Sequence, residues 1–425
     1  MKSERIILYL LAASQFTHIM DFMIIMPLGE MLMEELHINS QEFSFLVASY
    51  TLTAGVTGLI SAFFVDSFDR KKFFLFAYSG FSLGTILCGV VDDYAGLITA
   101  RILTGAFGGV ISSTVIAIVS DAIASERRAW GLGVVMSAFS MASAIGLPVG
   151  LYFAFNFGWN WPFLALGAVS VLNAIAVNFT LPPVREHIDN PEPGVDSWEF
   201  IKNIPRHKNQ WMALTYTMLL MFGHFAVIPF ITPYLVENVG FERQQITLVY
   251  LVGGVATIIT NPRVGKWADR VGRHKVFTIM AFASLAPILA LTNLPPTPVW
   301  VALIVTGSFF VLVGGRMVPS TAIVTSVIKP RNRGSFMSLN SSVQNMTAGV
   351  ASVVAGVLVT IPEGGNHVYG FWKVGALGVV FTLIAIWMMK QIRAFEIKEE
   401  EAEERLAKEA EEKSAALLEQ KRMPT

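Results

Sequence analysis

Twelve apolar runs of about 20 residues, parted by short polar loops, constrain this chain more than any other feature of its 425 residues. A helix rising about 1.5 Å per residue needs roughly that length to cross about 30 Å of hydrocarbon, and it satisfies its own backbone where no water can. The runs fall near residues 6–30, 43–65, 73–91, 97–119, 129–155, 161–181, 211–236, 245–265, 276–292, 299–327, 334–361 and 369–389. An all-α membrane protein of twelve transmembrane helices is the expected fold class, and an even number of crossings puts both termini on one side. The composition agrees: 53% of residues are hydrophobic, 15% are charged, and the mean hydropathy is +0.56. The run beginning at Ile6 outlasts the apolar core of a cleavable signal and reads as the first span.

The loops alternate in charge. The odd-numbered loops (33–42, 92–96, 156–160, 237–244, 293–298 and 362–368) hold one Lys or Arg among them, Arg243. The even-numbered loops hold Arg70, Lys71 and Lys72, then Arg127 and Arg128, then the cations from Arg263 to Lys275, then Lys329, Arg331 and Arg333. Positive charge gathers on the cytoplasmic side, so the even loops and both termini are expected in the cytoplasm, with the chain multi-pass in an inner (plasma) membrane. A formal net charge of zero conceals an acidic tail: residues 396–420 carry ten acids and four Lys/Arg, against 21 acids and 27 Lys/Arg elsewhere. Glu401 to Arg405, Glu404 to Lys408 and Glu409 to Lys413 have i,i+4 spacing, so the tail reads as a surface helix, solvated or docking a cytoplasmic partner. Cys88 is the single cysteine, which excludes an intrachain disulfide.

Residues 182–209 divide the runs into two sets of six, with five prolines in 28 residues and Trp198 and Phe200 among charges. This stretch reads as a linker, partly an interfacial helix. The sets register on each other. Asp66 maps to Asp269 at 203 residues, Arg128 to Arg333 at 205, and His18 and Pro27 to His224 and Pro233 at 206. Landmarks at nearly one offset indicate a parallel duplication. The expected organisation is an N-terminal six-helix bundle over 1–181, the linker over 182–209, a C-terminal six-helix bundle over 210–390, and a cytoplasmic acidic tail over 391–425.

The stretch Gly265-Lys-Trp-Ala-Asp269-Arg270-Val-Gly272-Arg273-His-Lys275 reads as a charged loop between two spans. Gly265 permits close helix approach, Gly272 a positive φ, and Asp269 lies among cations whose partnerships can change if the helices move. An echo runs from Asp66 through Asp69, Arg70, Lys71 and Lys72. The longer stretch resembles the cytoplasmic signature loop of the major facilitator superfamily, and the resemblance covers about residues 6–390. The echo departs from that pattern at Ala62, Ser67 and Asp69, where Gly, Arg or Lys, and Gly are expected. The resemblance implies two bundles rocking about a central cavity. It also implies a latch, with Asp66 facing the start of span eleven at Gly334 and Arg70 meeting Asp121 at the end of span four. Gly265, Asp269, Arg270, Gly272 and Arg273 form the second copy. Span ten ends Thr325 to Lys329 without an acid, so the second latch is expected to be the weaker.

A charge inside a bilayer costs at least ~2.5–3.5 kcal/mol, so each one needs a partner or a task. Those deep within the runs are Asp21, Arg101, Arg316, His18 and His224, whereas Lys373 lies close to the outer end of span twelve, where it can snorkel. Asp21 lies ~22 Å and Arg101 ~24 Å from the inner face, a shared depth. Arg101-Ile-Leu-Thr-Gly105 resembles the superfamily's fourth-span motif, and Asp21 to Pro27 resembles the acid-bearing first span of its drug–proton antiporter branch. Gly146-Leu-Pro148-Val-Gly150 resembles that branch's fifth-span motif, with Leu147 where Gly is usual, and arabinose-efflux-permease-like members are the closest in pattern. Two readings of the pair stand: a permanent tie between spans one and four, or a proton-accepting Asp21 tuned by Arg101. His18 shares the face of Asp21 and joins it as a proton-coupling candidate, or is a buried structural histidine. His224, Arg316, Asn340 and Gln344 are the candidate substrate-binding groups, with helix cohesion the alternative for Arg316 and the amides.

No metal-ligand spacing, phosphate-cradling loop or nucleophile elbow appears, so an enzyme is not expected, and neither are a metal, a cofactor or a nucleic-acid partner. The expected activity is proton-coupled export of a small organic solute (sugar, metabolite or drug) by a monomer in the lipid bilayer. A proton-coupled importer or a non-transporting membrane sensor or scaffold could use the same residues. Two deep arginines against one deep acid favour a neutral-polar or anionic solute.

Overall fold

A computed structural model describes residues 2–61, 63, 68–123, 125–185, 204, 207–328, 333–361 and 367–393. Spans one to six run Lys2–Ile24 (with Gly29–Glu35 beyond a break), Ser40–Ser61, Arg70–Val90, Tyr94–Gly108 with Ile111–Ala122, Ser125–Met141 with Leu147–Phe157, and Trp161–Thr180. Spans seven to twelve run Lys208–Phe225 through Leu235–Val239, Arg243–Val271, Arg273–Thr292, Val299–Gly315 with Met317–Ser326, Arg333–Leu358, and Phe371–Met389. Eleven of these are long and apolar enough to cross a membrane. Span eleven matches them in length but is more polar, carrying Asn340, Gln344 and Asn345. The fold is all-α, two parallel-repeat six-helix bundles. Spans one and seven start, and spans six and twelve end, at one face, the terminal face.

Local chemistry sets the breaks. Span one loses its helix over Ile25 to Leu28 around Pro27, and span seven loses it at Ala226 and Val227 before a 3₁₀ turn, Ile228–Phe230, containing Pro229. Proline lacks the amide that would continue the ladder. Span four breaks at Gly109 and Val110, and span ten at Arg316, so Gly109 corresponds to Gly315 at 206 residues (315 minus 109). In span five a π-turn, Ala142–Gly146, precedes Pro148. Gly146 and Gly150 let this kinked span press on span one, where an added methyl would fall 2.8 and 2.6 Å from Met20.

Spans two and eight open with equivalent caps. Asn39 Oδ1 accepts from the amides of Gln41 and Glu42, while Glu42 Oε2 accepts from the Asn39 amide at 2.9 Å. Glu242 and Gln245 form the same reciprocal box 203 residues on (242 minus 39).

The charged stretch from Gly265 corrects the sequence expectation. Span eight continues to Val271, Gly272 alone breaks it at φ +103°, and span nine starts at Arg273. Lys266, Asp269 and Arg270 are exposed on the last turns of a helix, where long side chains reach water without a loop. Gly265 is also less crowded than expected, since an added methyl would meet Val318 at 3.6 Å, an ordinary contact.

The bundles meet along two seams. Spans two and eleven pack through Gly55, Gly349 and Gly356, where added methyls would fall 2.4 to 2.6 Å from Met346, Leu52 and (at 2.1 Å) Ser44. Spans five and eight pack through Gly254, 2.6 Å by the same measure from Ala144 Cα. Away from the terminal face one apolar core unites both bundles, from Met20 through Val47 in the first to Ala226 through Val249 in the second. Toward the terminal face it splits into one cluster around Tyr78 and another around Tyr216. The molecule is closed at the face opposite its termini.

Candidate functional site: a buried ion pair and its gates

Asp21 stands one turn before the break in span one, and Arg101 two turns into span four. Arg101 Nη1 donates to Asp21 Oδ2 at 2.8 Å and to the Asp21 backbone carbonyl at 3.3 Å. From span three Thr85 Oγ1 donates to Asp21 Oδ1 at 3.1 Å. Both side chains of the pair have 0% exposure. The Tyr50 ring of span two lies beneath the guanidinium, 4.4 Å from Cζ to ring centroid. Gly105 brings spans two and four to this distance, since an added methyl there would fall 2.4 Å from the Tyr50 carbonyl oxygen. Isolated, either charge would be prohibitively costly in this setting; paired and hydrogen-bonded, both can be retained.

His18 lies one turn from Asp21, packed on Tyr50 and Phe81 at ring distances of 6.4 and 5.7 Å, with Nδ1 unpartnered among the described residues. Behind it Asn173 Nδ2 donates to Ser14 Oγ at 2.8 Å and to Tyr78 Oη at 3.3 Å, and Tyr78 bonds Thr17 at 2.8 Å. That network ties spans one, three and six into one scaffold. On the other side Phe22 stacks on Tyr50 at 5.8 Å and meets Phe225 of the second bundle at 5.7 Å, next to His224. A chain of rings thus runs from the ion pair across the bundle interface.

Arg316 does not join Asn340 and Gln344. Its Nη1 donates to Ser284 Oγ of span nine at 3.1 Å and to Thr382 Oγ1 of span twelve at 2.9 Å, with 0% exposure. The break in span ten turns the guanidinium into its own bundle, where it ties spans nine, ten and twelve, the cohesion alternative of the sequence reading. Asn340 is buried with Oδ1 unpartnered among the described residues, Gln344 is half-buried, and His224 Nδ1 is also without a partner.

At the terminal face Arg70 Nε lies 2.7 Å from Asp121 Oδ2. Arg273, its counterpart, reaches the Ala322 carbonyl at 3.5 Å and makes no ion pair with a described residue, in line with a span ten that ends without an acid. Asp269 and Arg270 are exposed and make no ion pair with a described residue. Asp66 lies outside the described residues, as do the side chain of Gly334's neighbour Arg333 and the tail beyond 393.

The opposite face holds a device the sequence reading missed. Arg243, at the start of span eight, forks onto Glu30 of span one, with Nε to Oε2 at 2.8 Å and Nη2 to Oε1 at 2.6 Å, and also bonds Glu34. Ser40 Oγ donates to the Val359 carbonyl at 2.7 Å, and Phe43 meets Phe230 edge-on at 6.1 Å, both between bundles. The available signal was Arg243 itself, the lone cation of the odd-numbered loops.

A duplicated twelve-span bundle, shut at one face and holding a buried ion pair, is the architecture of a membrane transporter. The profile of the Major Facilitator Superfamily matches residues 11–227 and again 213–424, and the chain belongs to that superfamily. It is 24% identical over 340 residues to the uncharacterized MFS-type transporter YbcL of Bacillus subtilis (strain 168), covering 80% of this chain and 84% of that one. Multidrug resistance protein 2 of the same organism is 22% identical over 394 residues, 91% of this chain and 96% of the relative. Among solved structures, an inward-facing, unoccupied bacterial homolog of the human lysosomal transporter Spinster superposes with a TM-score of 0.69 at 14% identity, covering 91% of this chain and 96% of that one.

Proposed function

We propose that this chain is a proton-coupled exporter of a small organic solute in the inner membrane, with its terminal face in the cytoplasm, in the drug–proton antiporter or arabinose-efflux-like branch. The observation that carries the reading is Asp21, held at 0% exposure between Arg101 and Thr85. A buried acid with one cationic partner can be neutralised by a single proton, and protonation removes the attraction that ties span one to span four. The proton enters from the outer side when the Arg243 clamp is open, and leaves to the cytoplasm when the terminal face is open.

The even-numbered loops carry nearly all the loop cations, which favours their lying in the cytoplasm. His18 flanks the proton site. His224 and Asn340, each with a buried unpartnered polar atom, are proposed with Gln344 to hydrogen-bond the solute. Arg316, tied to spans nine and twelve, is reassigned from solute contact to bundle cohesion. Arg70 and Asp121, with Asp66, Gly265, Asp269, Arg270, Gly272 and Arg273, are proposed to steady the cytoplasmic ends of the spans. The chain works as a monomer, without cofactor.

Counterflow in proteoliposomes, run over a panel of sugars, organic anions, nucleosides and lipophilic cations, tests this reading. Accumulation of a labelled neutral or anionic solute, driven further by an imposed pH gradient, is the expected result. Counterflow that an imposed pH gradient leaves unchanged would refute proton coupling.

A further inference from the structure

We infer that the ring of Tyr50 is the positioning element through which the charge state of Asp21 reaches the contact between the bundles, an inference that rests on the proton-coupling reading above. Arg101 uses Nη1 for Asp21, while Nε and Nη2 have no partner among the described residues. A proton on Asp21 removes the charge that Nη1 faces. What then holds the guanidinium is the Asp21 carbonyl at 3.3 Å and the face of the Tyr50 ring at 4.4 Å. An aromatic face attracts a cation whatever the state of the acid, so the arginine shifts its weight onto the ring instead of leaving it.

The remaining titratable groups facing the pair are Cys88 of span three, whose thiol lies beside the Arg101 guanidinium and shares a weak bond with Thr104 at 3.8 Å, and His18 along span one. Neither offers a charge to replace the carboxylate. Tyr50 Oη is buried without a hydrogen-bond partner among the described residues, so the site uses the ring and not the hydroxyl.

Three contacts carry the change outward. Gly105 clamps the Tyr50 carbonyl, and Gly109 would place a methyl 2.2 Å from the Ala54 carbonyl, so span two follows span four as one body. Next along span two, Thr51 and Leu52 pack against Gly349, and Gly55 against Met346, on span eleven of the other bundle. The ring also stacks on Phe22, which touches Phe225 across the interface. Among the described residues, Tyr50 is the side chain that both touches the charge site and stands at the head of both routes.

The test uses the full chain in lipid nanodiscs across a pH series, with two readouts. The infrared band of a protonated carboxyl that disappears in Asp21→Asn reports the proton. A pair of spin labels at Phe179→Cys and Trp387→Cys, both exposed and one per bundle, reports bundle separation, and fully buried Cys88 stays unlabelled. In the parent and in Tyr50→Phe the band and the distance shift together. In Tyr50→Leu the band still titrates while the pH-dependent distance change falls at least fivefold. Tyr50→Met, which fills space without a π face, takes its place if the Leu variant does not fold. A Leu or Met variant that tracks the parent overturns the inference, as does a Phe variant that fails like Leu. A parent lacking any Asp21 band sinks the proton-coupling reading itself.

Discussion

Arg243→Gln removes the ion-paired link between the bundles at the opposite face, and the geometry sets the size of the effect. Two unit charges about 4 Å apart at an effective dielectric of about 20 attract by ~4 kcal/mol. Arg243 is 43% exposed while Glu30 is 10% exposed, so solvent screening lowers the Glu30 contribution to ~2 kcal/mol. Glu34, 62% exposed, adds no more than ~0.5 kcal/mol. The closed state is therefore favoured by ~2 kcal/mol through this clamp, which is roughly 30-fold in population. The assay is the rate at which a membrane-impermeant maleimide, added at the opposite face, labels Ser40→Cys. Ser40 is 5% exposed behind the clamp and Cys88 is fully buried, so the background is low. Arg243→Gln and Glu30→Gln should each raise the rate roughly 30-fold, Glu34→Gln less than about threefold, and the Arg243→Gln/Glu30→Gln pair no more than either alone. Rates within about twofold of the parent in both single variants would refute the clamp.

Gly105→Ala, whose methyl would strike the Tyr50 carbonyl at 2.4 Å, should lower stability by ~1–3 kcal/mol, whereas Gly265→Ala, open to 3.6 Å inside a continuous helix, should raise the melting temperature through a gain of ~0.5–1 kcal/mol. Gly272→Ala forces a side chain to φ +103° and should cost ~1–2 kcal/mol by the same melting measurement. Arg316→Leu should raise the melting temperature and leave the solute KM unchanged. Ser284 and Thr382 already donate to Ala281 and Gly378 carbonyls at 2.7 Å, so no donor is orphaned and a buried charge is relieved.

The fold was legible because lipid imposes it: a span's length and apolarity are written in consecutive residues. The Asp21–Arg101 pairing was legible too, since two charges at one depth in lipid have few other partners. Which of the two readings of Arg316 held was not legible, because depth does not give direction. The break in span ten rotates its side chain toward Ser284 and Thr382, and neither carries a charge that would mark it as a partner. Tyr50 left no signal either, being one aromatic residue among many in an apolar run; only the approach enforced by Gly105 makes it part of the site. Glu30 and Glu34 looked like ordinary residues at the end of span one, because their partner lies in the other half of the chain, 213 residues away in the case of Glu30.

Proton movement driven by solute tests the central claim most directly. Proteoliposomes holding the full chain and an interior pH dye are given an outward solute gradient with no initial pH difference. The account predicts that solute efflux acidifies the lumen only in vesicles whose Asp21 is intact, and that Asp21→Asn abolishes the proton signal while solute exchange continues at the parent rate. A proton signal that persists in Asp21→Asn, or a parent that moves solute with no proton movement at all, would contradict it.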